Sequence, residues 1–150
     1  MPQSLVKNYI HIVFSTKHRE NFIDEKIEKE LFSYIAAVCK DFESQALQIG
    51  GTDNHIHILC TLSRKLALMK LVQEIKAHSS KWIKTKGKKY ENFFWQGGYA
   101  AFSVNEENLF QMINHIKNQR QHHQTNDYKD ELIGILNKYR IQYDEKYLWD

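Results

Sequence analysis

Two different spacings of hydrophobic and polar residues follow each other along this chain, and they predict an alternation of strands and helices. Alternate apolar positions, or runs of β-branched and aromatic residues, favour strands, whereas apolar residues three and four positions apart favour helices. Ser103 and Glu106 have the spacing of a capping box, which predicts a helix that runs to about His123. The predicted strands are 7–15, 45–49, 55–63, 93–95 and 99–103, and the other predicted helices are 24–42, 66–84 and 127–139.

This order, β-α-β-β-α-β followed by helices, predicts an α+β fold of the ferredoxin-like, split βαβ type. We expect one antiparallel sheet with two helices on one face, additional C-terminal helices, and the strand at 55–63 in a central position. The face that the two helices leave uncovered is expected to be open for a site. No proline- or glycine-rich linker and no internal repeat interrupts the chain, so residues 1–150 are predicted to form a single domain.

Composition narrows the class of protein only a little. With 42% hydrophobic residues in 150, the chain is long enough to bury a substantial core, and its net charge of +3 permits a nucleic-acid partner without requiring one. Cys39 and Cys60 share no motif spacing, which predicts reduced thiols in the core. The sequence has no apolar signal region and no run of 18 apolar residues, so we expect a soluble, cytoplasmic protein with no membrane partner.

The pair His55 and His57 is the first candidate for chemistry. It follows the turn signal 51–54 and lies in a predicted strand, where residues two apart point to the same face. Two adjacent imidazoles on one face can bind a divalent metal ion. The alternative is a pair of half-buried or solvent-facing histidines with no ligand role.

A lysine-rich segment at 81–90 is the second candidate. Lysines neutralise phosphates and aromatic rings stack on unpaired bases, so lysines interleaved with Trp82 and Tyr90 suit a single-stranded nucleic acid. The alternative is a solvated helix end whose lysines complement the helix dipole. The candidate DNA-binding residues here are Lys81, Lys84, Lys86, Lys88 and Lys89.

The segment 94–99 adds Trp95, Gln96 and Tyr99 to the DNA-binding candidates. Gly97 and Gly98 lie between them and permit a tight turn or the close approach of a ligand. The alternative is a hairpin turn between two aromatic strands that fill the core.

A polar stripe on the predicted helix before 123 is the third candidate. Residues 115, 119 and 122 or 123 share one helical face, so they stack a histidine, a glutamine and another histidine above one another. Such a stripe is usually exposed to solvent. It would supply a third metal ligand if it faced the strand that carries His55 and His57.

Together these segments resemble a known family, the HUH single-tyrosine insertion-sequence transposases and their relatives, the Rep-associated tyrosine transposases. The resemblance covers nearly the whole chain, including the aromatic tail at 143–149. The residues that carry it are Tyr9-Ile10-His11-Ile12-Val13-Phe14-Ser15-Thr16-Lys17, Asn54-His55-Ile56-His57, Trp95-Gln96-Gly97-Gly98-Tyr99 and His115-Ile116-Lys117-Asn118-Gln119.

The resemblance implies a DNA transposase that cleaves and rejoins hairpin-forming single-stranded DNA and acts as a homodimer. It implies that His55, His57 and Gln119 bind a divalent ion, magnesium or manganese, which polarises the scissile phosphate. In this family a tyrosine one helical turn before the glutamine attacks the phosphorus and forms a 5′-phosphotyrosine intermediate.

Here His115 stands at the position of that tyrosine, and an imidazole has no hydroxyl with which to form the ester. It could attack phosphorus to give a phosphohistidine, ligate the metal, or be a decayed position that is merely polar. Tyr128 is a less well-placed substitute, beyond the predicted helix break at 124–126. We therefore expect weak or absent strand transfer, with metal and hairpin binding retained.

Three interpretations stay open. The chain is either an active transposase or an inactive descendant that binds hairpin DNA, and a third interpretation is an RNA-binding or structural split βαβ domain with incidental histidines. The metal is also ambiguous, because two imidazoles by themselves favour zinc, copper, nickel or iron. A hard ion is understandable if an amide oxygen, waters and phosphate oxygens complete the shell.

Overall fold

The structure, a computed structural model, describes residues 2–123 and 127–150. Within these residues four strands form one sheet: β1 Tyr9–Ser15, β2 Ala46–Gly51, β3 His55–Thr61 and β4 Ala100–Ser103. The α-helices are α1 Glu25–Asp41, α2 Leu68–Lys84, α3 Leu109–Lys117, α4 Gln119–His122, α5 Tyr128–Lys138 and α6 Glu145–Leu148. Short 3₁₀ helices lie at Lys17–Arg19, Lys88–Tyr90 and Glu106–Asn108.

The sheet is antiparallel throughout and has the strand order β2-β3-β1-β4. Strand β3 is paired on both sides, so that Ile58 lies opposite Ile12 of β1 and Ile49 of β2. The predicted α+β class and the central position of the strand that begins at His55 are therefore confirmed.

Helices α1 and α2 cover one face of this sheet because both are amphipathic. Their apolar sides, which include Leu31, Ile35 and Ile75, pack against Phe14 and Ile56 of the central strands. All five of these side chains have no exposed surface. Helix α1 begins at a side-chain cap, since the Asp24 carboxylate accepts hydrogen bonds from the backbone N–H groups of the first turn.

The opposite face is covered as well, so the expectation of an open face was wrong. The C-terminal helices carry apolar stripes of their own and bury them on this face. Helix α5 packs on Val13 and Phe102 through Leu132 and Leu136. Helix α3 packs on Leu59 through Ile116. His55 and His57 of β3 consequently lie between the sheet and the C-terminal helices.

Three local predictions were wrong. Residues 93–95 form no strand. Trp95 makes an isolated bridge to Thr16, and Phe93 and Trp95 fill the core from an irregular segment in which Phe94 is exposed. Ser103 belongs to β4, and the residue before the next helical turn, Asn105, makes no side-chain cap. The helix predicted to run to His123 is divided at Asn118, where the backbone leaves helical geometry.

No helix in the described part of the chain is long and apolar enough to cross a bilayer.

Candidate metal centre

The alternation of β3 places His55 and His57 side by side on the sheet face that the C-terminal helices cover. Both side chains are buried, and His57 has no exposed surface. Burial disfavours a charged ring, so it lowers the pKa of both His55 and His57 below the usual range. A nearby carboxylate opposes part of the shift at His57. Neutral imidazoles with a free lone pair are the form that binds a metal ion.

The hydrogen bonds around His55 determine which ring nitrogen carries its proton. Nδ1 lies 2.8 Å from Asn54 Oδ1, which also accepts a hydrogen bond from the Thr52 hydroxyl at 3.2 Å. Because an amide oxygen only accepts, His55 Nδ1 is the donor, and Nε2 carries the lone pair. A hydrogen bond from the ring nitrogen that faces away from the ion orients metal-binding histidines in many proteins.

Gln119 faces this free nitrogen with its own acceptor. Its Oε1 lies 3.3 Å from His55 Nε2, while its Nε2 points toward the His115 carbonyl and Glu131 Oε2, each 3.4 Å away. With His55 protonated on Nδ1, two acceptors face each other across this gap. A cation between them would satisfy both.

His57 contacts His11, a buried histidine that was not predicted to belong to the site. Its Nδ1 lies 2.8 Å from Nε2 of His11, and the two rings stack with centroids 5.0 Å apart. Burial, followed by the proximity of His57, lowers the pKa of His11. The sequence signal was available, because His11 alternates with Ile10 and Ile12 just as His55 and His57 alternate with their apolar neighbours.

Glu131 is the most important residue that sequence reasoning missed. It projects from α5, and its Oε1 lies 2.8 Å from His57 Nε2. Its Oε2 lies 3.1 to 3.4 Å from Nε2 of three further imidazoles, those of His115, His122 and His123. Burial alone would raise the pKa of Glu131, but the imidazoles of His115, His123 and His57, in that order, hold it well below the usual range. A carboxylate on the apolar stripe of a helix was the available signal.

The arrangement of donor atoms fits a metal ion. One ligand atom from each of His55, His57, His123 and Glu131 lies within 4.8 Å of all the others. Among the described residues, His57 Nε2, His123 Nε2 and Glu131 Oε1 are buried without a hydrogen-bond partner. Buried polar atoms are normally paired, and a cation bound between these three atoms would satisfy all of them.

His115 lies at the edge of this cluster. Its side chain is 36% exposed, and its Nε2 is 3.4 Å from Glu131 Oε2. Its ring centroid is 6.2 Å from that of His57. The position that the resemblance assigns to the nucleophile is therefore next to the histidine pair, and it presents an imidazole there.

Tyr128 is buried against the same centre. Its ring stacks on His55 with centroids 4.4 Å apart, and its hydroxyl has no partner among the described residues. Burial, reinforced by the negative charge of Glu131, raises the pKa of Tyr128. The predicted break at 124–126 lies outside the described residues.

The lysine-rich segment occupies the other side of the sheet, at the C-terminal end of α2 and the 3₁₀ helix that follows. Lys89 pairs with Asp24 at 2.8 Å and Lys86 approaches Glu30 at 3.6 Å. Lys84 lies over the ring of Phe94, 4.3 Å from its centroid. Lys81 and Lys88 are exposed. The structure does not bring these lysines to the histidine cluster.

Trp95 and Gln96 are occupied by internal contacts. Trp95 is buried and its Nε1 donates to Ser79 Oγ at 2.9 Å. Gln96 is buried, and its Oε1 accepts from the backbone N–H of Ser15 at 2.8 Å. Tyr99 is 39% exposed. Of these three candidates, Tyr99 alone presents an open ring surface.

Two solved structures share this fold. One is described as a candidate transposase from Deinococcus radiodurans R1, with a TM-score of 0.62 and 16% identity over 79% of this chain and 98% of that chain. The other is a REP-associated tyrosine transposase bound to a REP hairpin, with a TM-score of 0.56 and 16% identity over 77% of this chain and 68% of that chain. At these identities the likeness shows the α+β fold that such proteins use.

The family follows from the sequence itself. Residues 4–119 match the profile described as "Transposase IS200 like", which spans well over half of the chain. This chain belongs to the IS200-like transposase family. No curated protein matches it.

Proposed function

We propose that this chain is a metal-binding, single-stranded-DNA-binding transposase of the HUH type whose phosphotyrosine chemistry is weakened or lost. The observation that carries the proposal is the facing pair of acceptors, His55 Nε2 and Gln119 Oε1, beside an imidazole at position 115. The first feature supports retention of a metal ion, and the second removes the hydroxyl that the family's reaction needs.

His55, His57 and Gln119 are the residues we assign to magnesium or manganese. When bound, the ion would act as a Lewis acid on a phosphate oxygen of the DNA. Asn54 and His11 keep the two rings in place from the side away from the ion. The burial of His55 and His57 lowers the local dielectric constant, which strengthens the electrostatic interactions of these two residues.

We assign hairpin DNA to a surface formed by the exposed lysines Lys81 and Lys88, together with Tyr99. Lys84, Lys86 and Lys89 can join it, because surface ion pairs contribute little and exchange readily for phosphate contacts. Support comes from the similar fold that binds a REP hairpin. This surface and the metal centre lie on opposite faces of the sheet, so different parts of one DNA, or two subunits of a homodimer, would engage them.

The second candidate function is a transposase that uses another nucleophile, and the observation that favours it is the unpartnered hydroxyl of Tyr128. Phenolate attack on phosphorus would form the O–P bond and release the 3′ oxygen of the leaving strand, which takes up a proton. Its raised pKa makes that phenol a poor nucleophile in the absence of a metal.

The experiment compares wild type, His115→Tyr and Tyr128→Phe on single-stranded hairpin DNA from the flanks of the gene, with Mg²⁺ or Mn²⁺. We expect all three to bind the hairpin with salt-dependent affinity. We expect a covalent 5′-linked adduct, seen on a denaturing gel and by mass, with His115→Tyr and little or none with wild type.

The outcomes separate the alternatives. Efficient cleavage by wild type would overturn the proposed loss of chemistry, and the mass of the adduct peptide would locate the nucleophile at His115 or Tyr128. Absence of hairpin binding in every variant would overturn the DNA-binding proposal itself.

A further inference from the structure

One buried carboxylate, Glu131, lies at the centre of the histidine cluster, and the proposed chemistry has no use for it. The two oxygens of Glu131 contact different imidazoles. Oε1 lies 2.8 Å from His57 Nε2, and Oε2 faces His115, His122 and His123. Its side chain is only 5% exposed. A charge buried to this extent requires compensation from paired cations or from a metal ion.

His57 and Glu131 form an ion pair only if the imidazole is protonated. Although the two atoms are 2.8 Å apart, neither His57 Nε2 nor Glu131 Oε1 has a hydrogen bond. In the tautomer in which His57 Nδ1 donates its hydrogen to His11 Nε2, His57 Nε2 presents a lone pair to the carboxylate. Two acceptors then face each other, as they do at His55 and Gln119.

His123 repeats the arrangement from the end of α4. Its Nε2 lies 3.3 Å from Glu131 Oε2 and is a further buried nitrogen without a hydrogen bond. Its ring packs edge-on against His55, with centroids 4.5 Å apart. The orphaned atoms thus come from three separate elements and converge on one volume.

We propose that Glu131 and His123 are ligands of the ion held by His55 and His57, which makes a three-histidine, one-carboxylate centre. This inference rests on the proposed metal site and extends it. Of the two ions proposed above, such a donor set favours manganese, because imidazole is a poor ligand for magnesium. It binds zinc more tightly than either. Three nitrogens and one oxygen are a ligand set that zinc accepts, and Gln119 Oε1 or a phosphate oxygen of the DNA would enter as a fifth ligand.

Glu131 also contacts His115, the residue at the position of the family's tyrosine. His115 and His122 contact the same carboxylate oxygen, so the carboxylate links position 115 to the ion. In this arrangement His115 is a positioning residue that orients Glu131.

The test uses the full-length protein, stripped with a chelator, and measures its affinity for Zn²⁺, Mn²⁺ and Mg²⁺ by competition with a chromophoric chelator. A second readout is the visible absorption of the Co²⁺ form, whose intensity reports a low-symmetry site with four or five ligands. Wild type is expected to bind one Zn²⁺ at the centre and to show intense Co²⁺ bands. Glu131→Gln, which preserves shape, is expected to lose at least about 10–100-fold in Zn²⁺ affinity.

Asp130→Asn is the matched control, because it removes the same charge from an exposed neighbour on α5. It should bind Zn²⁺ as wild type does and keep the Co²⁺ spectrum. His123→Ala should lose affinity in the same direction as Glu131→Gln. Far-UV circular dichroism of each stripped variant establishes that it is folded before its affinity is compared.

Each result has a definite meaning. If His57→Ala loses Zn²⁺ but Glu131→Gln binds it within about twofold of wild type, Glu131 is an ion-pair acceptor and the inference is overturned, while the proposed site stands. If His57→Ala also binds as wild type does, the proposed metal centre falls together with the inference. Tighter binding of Mg²⁺ than of Zn²⁺ by wild type would overturn the assigned selectivity.

Discussion

Helix α3 passes directly over Gly50, and we predict that Gly50→Ala damages both stability and the site. Gly50 lies in β2 directly opposite His57. A Cβ built on it would lie 1.9 Å from the carbonyl oxygen of Ile116 and 2.8 Å from its carbonyl carbon. Ile116 is in α3, so the obstacle is backbone and cannot be relieved by rotating a side chain.

The size of the effect follows from these distances. Ordinary contact with a Cβ begins at 3.4 Å, so α3 must retreat by about 1.5 Å. Overpacking of this kind costs about 1–3 kcal/mol, and for a chain of this length each kcal/mol lowers Tm by about 2–4 °C. The same movement would carry His115 and Gln119 away from Glu131 and His55, whose present separations are 3.4 and 3.3 Å.

The assay is urea unfolding followed by circular dichroism, together with Zn²⁺ titration of the folded variant. Gly134→Ala is the control, because a Cβ at that helical glycine meets nothing within 4 Å. That control should stabilise the protein by about 0.5–1 kcal/mol, the usual helical preference of alanine over glycine. A Gly50→Ala protein that unfolds at the wild-type urea concentration with unchanged metal affinity would refute the close-packing argument.

Two further substitutions test how the chain holds its elements together. Asp24→Ala removes the cap of α1 and should lower the free energy of unfolding by about 1 kcal/mol. A hydrogen bond from Lys89, foremost, holds the pKa of Asp24 at about 2, below its unfolded value, so this stabilisation is complete at neutral pH and is lost as pH falls through 2. Urea midpoints of Asp24→Ala that differ from wild type equally at pH 7 and pH 2 would contradict this reasoning. Arg120→Met removes the 2.7 Å hydrogen bonds to Glu28 and Asp53 that anchor α4. The free energy of unfolding, measured by thermal unfolding, should fall by about 1.5–3 kcal/mol. An unchanged Tm would show that these partly exposed ion pairs do not stabilise the fold.

The strands and helices were largely predictable because their signals are local. Side chains alternate across a strand and repeat every three to four residues along a helix whatever the rest of the chain does. This is why the sequence predicted correctly which residues of β3 share a face and which residues of α1 point to the core. A short apolar run carries no such period, which is why Phe93 and Trp95 were taken for a strand although they fill the core from an irregular segment.

The coverage of the sheet was not predictable in the same way. The ferredoxin-like order of elements accounts for two helices on one face, but whether additional helices lie on the other depends on long-range packing. Only the tertiary structure shows α3 and α5 on that face, which turns an expected open surface into an enclosed centre.

The sequence by itself determined that His55 and His57 share a face, since they are two residues apart in one strand. It also identified the family and the absence of a tyrosine at position 115. Only the tertiary structure decided what surrounds those histidines: Gln119 and Glu131 reach them from 64 and more residues away. Contacts between residues so far apart in sequence depend on how the helices pack onto the sheet. The spacing of hydrophobic residues within one segment does not predict them.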